Sequence, residues 1–461
     1  MYYFTDDGKT TLYRQLYNAL RESIISGEQK AGTKLPSKRA MAAQTGVSVN
    51  TVDSAYAQLV SEGYVSVRPR SGYTVCTIDP VQCIRLTKTA LPELQAEQPQ
   101  FAVDFDPSRP AVDCFPQSVW QRLCTQVGAS ADWLSSRPRQ GDLSLRQAVA
   151  AYLASSRDVH TKAENVIIGS GTQSLLTMLA LLLDNRYTFA FEDPVYHRCA
   201  ELFSRVGHTT LPVEVDKQGV CIEPIRSLFP ALLYTTPSHQ FPLGICMPMQ
   251  RRVKLLNWCA EAEDRYLIED DYDSELRYDA RPVPSLFSAD RNDRVIYLGT
   301  FSSTVSSSLR VGYMVLPERL LSLYLESPLP LSCNVPVSEQ IVLTRFLVEG
   351  YFEKHLNRLR TYYRKQRGFL LEQLQCFKAM AEPIGEAAGS HLTIKVKNGM
   401  NETELLQSAA DEGVKVYPIS PYFSGTMPQK YVGKVLLGFG GLSREEIQEG
   451  VAGLFRAWSK R

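Results

Sequence analysis

The chain of 461 residues has almost no net charge, with 50 Lys and Arg against 49 Asp and Glu. So close a balance argues against a chain built as a whole for a polyanion. Long apolar runs are also missing. The longest, Leu175 to Leu183, falls well short of the ~20 residues a membrane-spanning helix needs. The start, Met-Tyr-Tyr-Phe-Thr-Asp-Asp, is neither basic nor extended in its apolar character, so no signal peptide is expected. Ten cysteines are scattered from Cys76 to Cys376, with no Cys-x-x-Cys pair and no histidine cluster beside them. This pattern predicts buried, reduced thiols, no metal site and a cytoplasmic location. Internal repeats and low-complexity tracts are absent too.

What is present divides the chain into three stretches. Residues 1–78 combine short helical patterns with a Gly-containing hairpin, and hold nine basic against six acidic residues. Residues 79–100, beginning Asp79-Pro80, read as a polar tether without a strong period. Residues 101–461 alternate apolar strand-like runs with amphipathic helices. The runs are Asn165–Gly169, Tyr187–Phe191, Ala231–Thr235, Arg265–Glu269 and Val295–Gly299. Each is short and followed by polar residues, as in buried parallel strands with ligand groups at their carboxyl ends. Long helices are predicted at Val337–Leu347 and Tyr351–Leu374, then strands at His391–Val396 and Lys434–Phe439. The basic outer face of Tyr351–Arg364 is read as a solvated helix face.

Tyr13 to Ser26 carries Leu16, Leu20, Ile24 and Ile25 on one helical face. Pro36-Ser37 opens a second helix, Gly46 sits at the turn that ends it, and Ser48 caps a third. Val47, Val52, Tyr56 and Leu59 would hold that third helix on the core. Val49, Asn50, Thr51 and Asp53 would then face outward, where a recognition helix meets base edges. Tyr64 to Val75 reads as two strands around an Arg68-Pro-Arg-Ser-Gly72 tip, whose arginines and glycine suit a phosphate.

The Leu-Pro-Ser-x-Arg start at Leu35–Arg39, the Gly46-Val-Ser48 turn and the Glu62-Gly-Tyr-Val65 wing entry resemble the GntR-type winged helix over about residues 10–78. The resemblance implies a double-stranded DNA operator as partner. It assigns Arg39, Ser48, Asn50, Thr51, Arg68, Arg70 and Gly72 as DNA contacts. Val49 and Asp53 depart from it, standing where some relatives carry base-reading arginines, so no operator sequence carries over.

Downstream, Ser170-Gly171-Thr172-Gln173 follows a strand and opens a helix, an arrangement whose amides and dipole suit a phosphate. Glu192-Asp-Pro-Val-Tyr196, Thr236-Pro-Ser-His-Gln-Phe-Pro-Leu-Gly244, Glu269-Asp-Asp-Tyr272 and Gly299-Thr-Phe-Ser-Ser-Thr-Val-Ser-Ser-Ser-Leu-Arg-Val-Gly-Tyr313 follow in order. Together they resemble the fold-type I pyridoxal-phosphate aminotransferases from about Phe101 onward. Joined to the winged helix, they are similar to the MocR/GabR family of regulators. The fold implied is a winged helix-turn-helix plus an α/β transferase-like domain. That domain would have a mostly parallel sheet and a small α+β C-terminal part.

By this resemblance Gly171, Thr172, Gln173, Ser302 and Arg310 hold the cofactor's phosphate and Tyr196 lies beside its ring. Asp270 pairs with the pyridine nitrogen, Tyr272 reaches the phenolic oxygen, and Asp271 is structural. The lysine that forms the family's Schiff base is replaced by Ser303, and no lysine lies between Lys254 and Lys354. A hydroxyl forms no imine and replaces no general base, so no catalytic residue is assigned. Leu436 falls where aminotransferases carry a substrate-carboxylate arginine. The expectation is therefore a homodimeric regulator that holds pyridoxal phosphate, or an adduct of it, non-covalently as a small-molecule effector. The competing readings are an aminotransferase with a DNA-binding appendage and a scaffold without an effector.

Overall fold

The computed structural model describes residues 11–68, 72–77, 101–196, 198–278, 283–329, 331–385 and 388–459. The chain separates into two compact units, 1–97 and 98–461. The expected tether at 79–100 lies outside the described residues.

In the first unit, α1 (Leu12–Ile25), α2 (Lys38–Thr45) and α3 (Val49–Ser61) precede the hairpin β1 (Val65–Arg68) and β2 (Gly72–Val75). Local chemistry sets these boundaries. The Ser37 side chain accepts from the Ala40 amide, Gly46 ends α2 at φ 73°, and the Ser48 side chain accepts from the Thr51 amide. Leu16, Leu20, Val52, Tyr56, Leu59 and Val65 form one core. Ile25 departs from the sequence pattern, being 43% exposed, while Tyr17 is buried in its stead. At 100° per residue Ile25 sits well round the helix from Ile24, and α1 ends there. The antiparallel hairpin pairs Val65 with Val75 and Arg68 with Gly72. Arg70 lies outside the described residues.

The second unit begins with β3 (Val103–Asp104), α4 (Gln117–Gly128) and α5 (Leu143–Arg157). Next come β4 (Val166–Gly169), α6 (Thr172–Leu182), β5 (Thr188–Asp193), α7 (Arg198–Val206), β6 (Thr210–Asp216), β7 (Gly219–Val220) and β8 (Ala231–Thr235). After α8 (Met249–Ala260) follow β9 (Arg265–Asp270), α9 (Leu286–Ala289), β10 (Val295–Thr300) and β11 (Gly312–Val315). All of these strands except β3 form one sheet in the order β4-β11-β10-β9-β8-β5-β6-β7.

The central strands β10, β9, β8, β5 and β6 pair in parallel. The first expected strand differs from its prediction: β4 pairs antiparallel with β11, which itself pairs antiparallel with β10. Alternation along the strands splits the core into two layers. Tyr266 and Ile268 of β9 pack with Leu179 and Phe203 on one face, and Leu267 packs with Leu255 and Trp258 on the other.

The chain continues through α10 (Glu318–Glu326), α11 (Val337–Val348) and α12 (Tyr351–Leu374) into β12 (Ala381–Ile384) and β13 (His391–Val396). Last come α13 (Glu402–Asp411), β14 (Val414–Lys415), β15 (Tyr417–Pro418), β16 (Lys434–Gly438) and α14 (Arg444–Trp458). Strands β12-β13-β16-β15 make a small antiparallel sheet whose Ile394 and Leu437 pack on Leu370 and Trp458. The short β14 pairs in parallel with β3. Among the described residues no helix is long and apolar enough to cross a membrane.

Candidate functional site

The carboxyl ends of the parallel strands and the head of α6 enclose a cavity of about 310 Å³. Thr172, Gln173, Tyr196, Asp270, Tyr272, Ser302 and Arg310 all line it, so the structure brings seven of the eight sequence-predicted positions to one place. The eighth, Gly171, does not line the cavity but lies beside Arg310, which does. It has φ 86°, and a Cβ added there would lie 3.0 Å from an Arg310 guanidinium nitrogen. The positive φ calls for glycine, and a side chain there would also push the guanidinium aside. Arg310 itself is held at φ 51°, a conformation that costs a non-glycine residue about 1–3 kcal/mol. With α6 beginning at Thr172, this corner gathers a guanidinium, a hydroxyl and a helix N-terminus, the donor set that suits a phosphate.

Asp270, the last residue of β9, is 5% exposed. The Tyr234 hydroxyl donates to its Oδ2, while Oδ1 has no partner among the described residues. Burial pushes this carboxyl up to about 7. The Tyr234 bond opposes the rise, and Asp271, Asp273 and Glu192 add repulsion. A buried carboxylate with a free oxygen is costly unless a cationic donor meets it. Ser302 Oγ is likewise buried without a partner. These two orphan groups, with the corner at Arg310, fit a ligand bearing a protonated ring nitrogen and a phosphate.

Asp271 points elsewhere. Arg157 Nε donates to its Oδ2 at 2.7 Å, and the hydroxyls of Ser274 and Tyr297 converge on the same oxygen. Burial opposes its ionisation, but Arg157 and these hydroxyls outweigh that and hold it below the usual carboxylate range. Ser303 does not line the first cavity. It faces a second of about 730 Å³, which shares Ser302 and Arg310 with the first. The Ser303 hydroxyl donates to the Tyr272 carbonyl at 2.6 Å. Leu436 lines neither cavity and is buried with Val215, Leu243 and Ile419.

Several groups at the site escaped sequence reasoning. Glu192 is fully buried and receives the Thr236 amide at 3.0 Å and the Thr236 hydroxyl at 2.8 Å, which fastens the Thr236 turn to the end of β5. His239 Nδ1 donates to Asp273 Oδ2 at 2.7 Å, and the Tyr272 hydroxyl donates to the His239 carbonyl at 3.1 Å. The His391 ring lies tilted 5.3 Å from that of His239, and burial, aided by His239, pushes it down to about 3. Arg198 lines the cavity with its guanidinium 5.6 Å over the Tyr196 ring.

In the first unit, Arg39, Ser48 and Asn50 are exposed and Thr51 is half-buried, all on α2 or the head of α3. Gly72 opens β2 at φ 84° opposite Arg68. Lys38 forms an ion pair with Asp53.

Residues 12–75 match the family of bacterial regulatory proteins, gntR family, and residues 106–451 match aminotransferase class I and II. The uncharacterized HTH-type transcriptional regulator YdeL of Bacillus subtilis is 38% identical, over 97% of this chain and 96% of its own. MocR of Rhizobium meliloti is 32% identical over 98% and 94%. The HTH-type pyridoxine biosynthesis transcriptional regulator PdxR of Corynebacterium glutamicum is 30% identical over 95% and 94%. Among solved structures, the Thermus thermophilus alpha-aminoadipate aminotransferase LysN, complexed with N-(5'-phosphopyridoxyl)-L-leucine, superposes with a TM-score of 0.67 at 27% identity. The match covers 77% of this chain and 92% of that one.

Proposed function

Because this chain belongs to the HTH-type transcriptional regulators that join a gntR-family winged helix to a class I and II aminotransferase domain, we propose that its large domain is a non-covalent sensor of pyridoxal phosphate. The chain is a DNA-binding regulator. The sensing reading extends that, and the observation that carries it is the buried, unpaired Oδ1 of Asp270 in a cavity shared with Ser302 and Arg310.

Asp270 would hold the pyridine nitrogen. The α6 head at Gly171, Thr172 and Gln173, with Ser302 and Arg310, would hold the phosphate, and Tyr196 and Tyr272 would flank the ring. Bound there, pyridoxal phosphate supplies an electron-poor ring and an aldehyde. Ser303 stands where the family's anchoring lysine belongs, and its hydroxyl is already committed to the Tyr272 carbonyl. It offers neither an amine to anchor the aldehyde nor a base to move a proton, so the chain binds the group without turning it over. The leucine at 436 agrees, since a buried apolar side chain grips no substrate carboxylate.

The same reading makes residues 1–78 the DNA-binding domain, 79–100 a linker and 101–461 the effector and dimerisation domain. Two copies would meet a palindromic or repeated operator in the cytoplasm, contacting it through Arg39, Ser48, Asn50, Thr51, Arg68, Arg70 and Gly72. The occupied pocket would set the affinity of that contact. Titration of full-length protein onto DNA from its own promoter, with and without saturating pyridoxal phosphate, tests this. The expected shift in Kd is roughly 5- to 150-fold, the range of ordinary allosteric coupling. Identical isotherms would reduce the large domain to a scaffold.

A further inference from the structure

The helix that meets the major groove in a helix-turn-helix is the second of the pair, here α3. Its sequence, Val-Asn-Thr-Val-Asp-Ser-Ala-Tyr-Ala-Gln-Leu-Val-Ser, contains no lysine, arginine or histidine. That is unusual chemistry for a base-reading helix, because the commonest specific contact is a bidentate Arg or Lys on guanine O6 and N7.

What α3 does present is neutral. Val52, Ala55, Tyr56 and Leu59 bury the inner face, which turns Val49 and Asn50 outward at the first turn. Val49 is 44% exposed. The Asn50 carboxamide is exposed and makes no hydrogen bond among the described residues. The turn is held rigid behind them: the Ser48 hydroxyl accepts from the Thr51 amide at 3.1 Å and lies 2.8 Å from the Thr51 hydroxyl. The helix's one charge, Asp53, is tied to Lys38 of α2, whose ammonium also lies 5.7 Å over the Tyr73 ring. Asp53 is thereby paired with a cation and drawn towards α2.

We propose that α3 reads A·T pairs in each half-site, with Val49 packing on the C5-methyl of a thymine and Asn50 bonding N6 and N7 of an adenine. Each base offers the matching group in the major groove, and no side chain of α3 offers the fork that guanine requires. The basic residues of the unit all lie off this helix, and of them Arg39, exposed on α2, would supply backbone charge without base information. The inference rests on the DNA-binding assignment.

The test is selection of bound duplexes from a randomised pool by the full-length protein, followed by base analogues in the selected site. Selected half-sites should share A·T pairs at the contacted steps. Replacing one thymine by deoxyuridine, which removes only the methyl, should weaken wild-type binding roughly fourfold, the worth of one buried methyl group. Val49→Ala should narrow the difference between the two duplexes. 7-Deazaadenine at the neighbouring position should weaken wild type and leave Asn50→Ala unchanged. Arg39→Ala, a backbone contact, should weaken every duplex alike and lower the salt dependence. Half-sites centred on guanines whose N7 methylation blocks binding would overturn the proposal, as would indifference of wild type to deoxyuridine at every selected thymine. Failure of any sequence to enrich would remove the DNA-binding premise itself.

Discussion

Arg157→Met is expected to destabilise the large unit by about 3–5 kcal/mol, read from the denaturant midpoint of its unfolding, because it strands a buried charge. The Arg157 and Asp271 side chains are 5% and 0% exposed, and their contact at 2.7 Å ties the end of α5 to the residue after β9. Arg157 also donates to Ser238 at 3.0 Å, so the guanidinium braces the Thr236 turn as well. Methionine fills much of the volume but leaves Asp271 without its cation. The loss should depend on pH. Asp271 titrates below its unfolded value, so its contribution is present above ~3.9 and disappears as pH falls through the lower folded value. The gap between wild type and variant should therefore narrow in acid. A variant as stable as wild type at pH 7 would show that hydroxyls alone satisfy Asp271.

Asp270→Asn should weaken pyridoxal phosphate binding roughly 100-fold, about 3 kcal/mol, while leaving the ligand-free protein no less stable. The amide keeps an acceptor for the Tyr234 hydroxyl and removes the charge that a pyridinium nitrogen needs. The stability half of the prediction separates loss of a ligand contact from misfolding. Asp270 titrates near 7, above its unfolded value, so ionising it costs the folded state. Through this group wild type loses stability as pH rises from ~3.9 to about 7, and the variant lacks that contribution, so the comparison should favour Asn increasingly across that window. Equal ligand affinity in the two proteins would remove Asp270 from the binding site.

The parts legible in the sequence were those fixed by neighbouring residues. Ser37, Gly46 and Ser48 mark helix ends through bonds that span three or four residues, and a one-dimensional pattern carries that information. The strand-end motifs were legible for a related reason. Gly171 and Ser302 follow short buried strands and Asp270 ends one, and parallel strands deliver their carboxyl ends to one edge. What was not legible depended on distant partners. Strand β11 entered between β4 and β10, a pairing no local periodicity encodes. The Glu192 bonds to Thr236, the Asp273 bond to His239 and the Arg157 bond to Asp271 join residues 44, 34 and 114 positions apart. Ile25 was misplaced because a helix end gives the last residue freedom from the stripe. The orphan state of Asp270 Oδ1, on which the functional reading depends, became visible only once Tyr234 was seen to satisfy the other oxygen.

The central claim is that the cavity holds pyridoxal phosphate without a covalent bond. It is tested most directly by titrating full-length protein with pyridoxal phosphate, treating the saturated complex with borohydride, and then denaturing and desalting it. Saturable binding, followed by loss of the ligand on desalting, is the predicted result, because Ser303 offers no amine to be fixed. One ligand retained per chain, or no saturable binding at all, would contradict it.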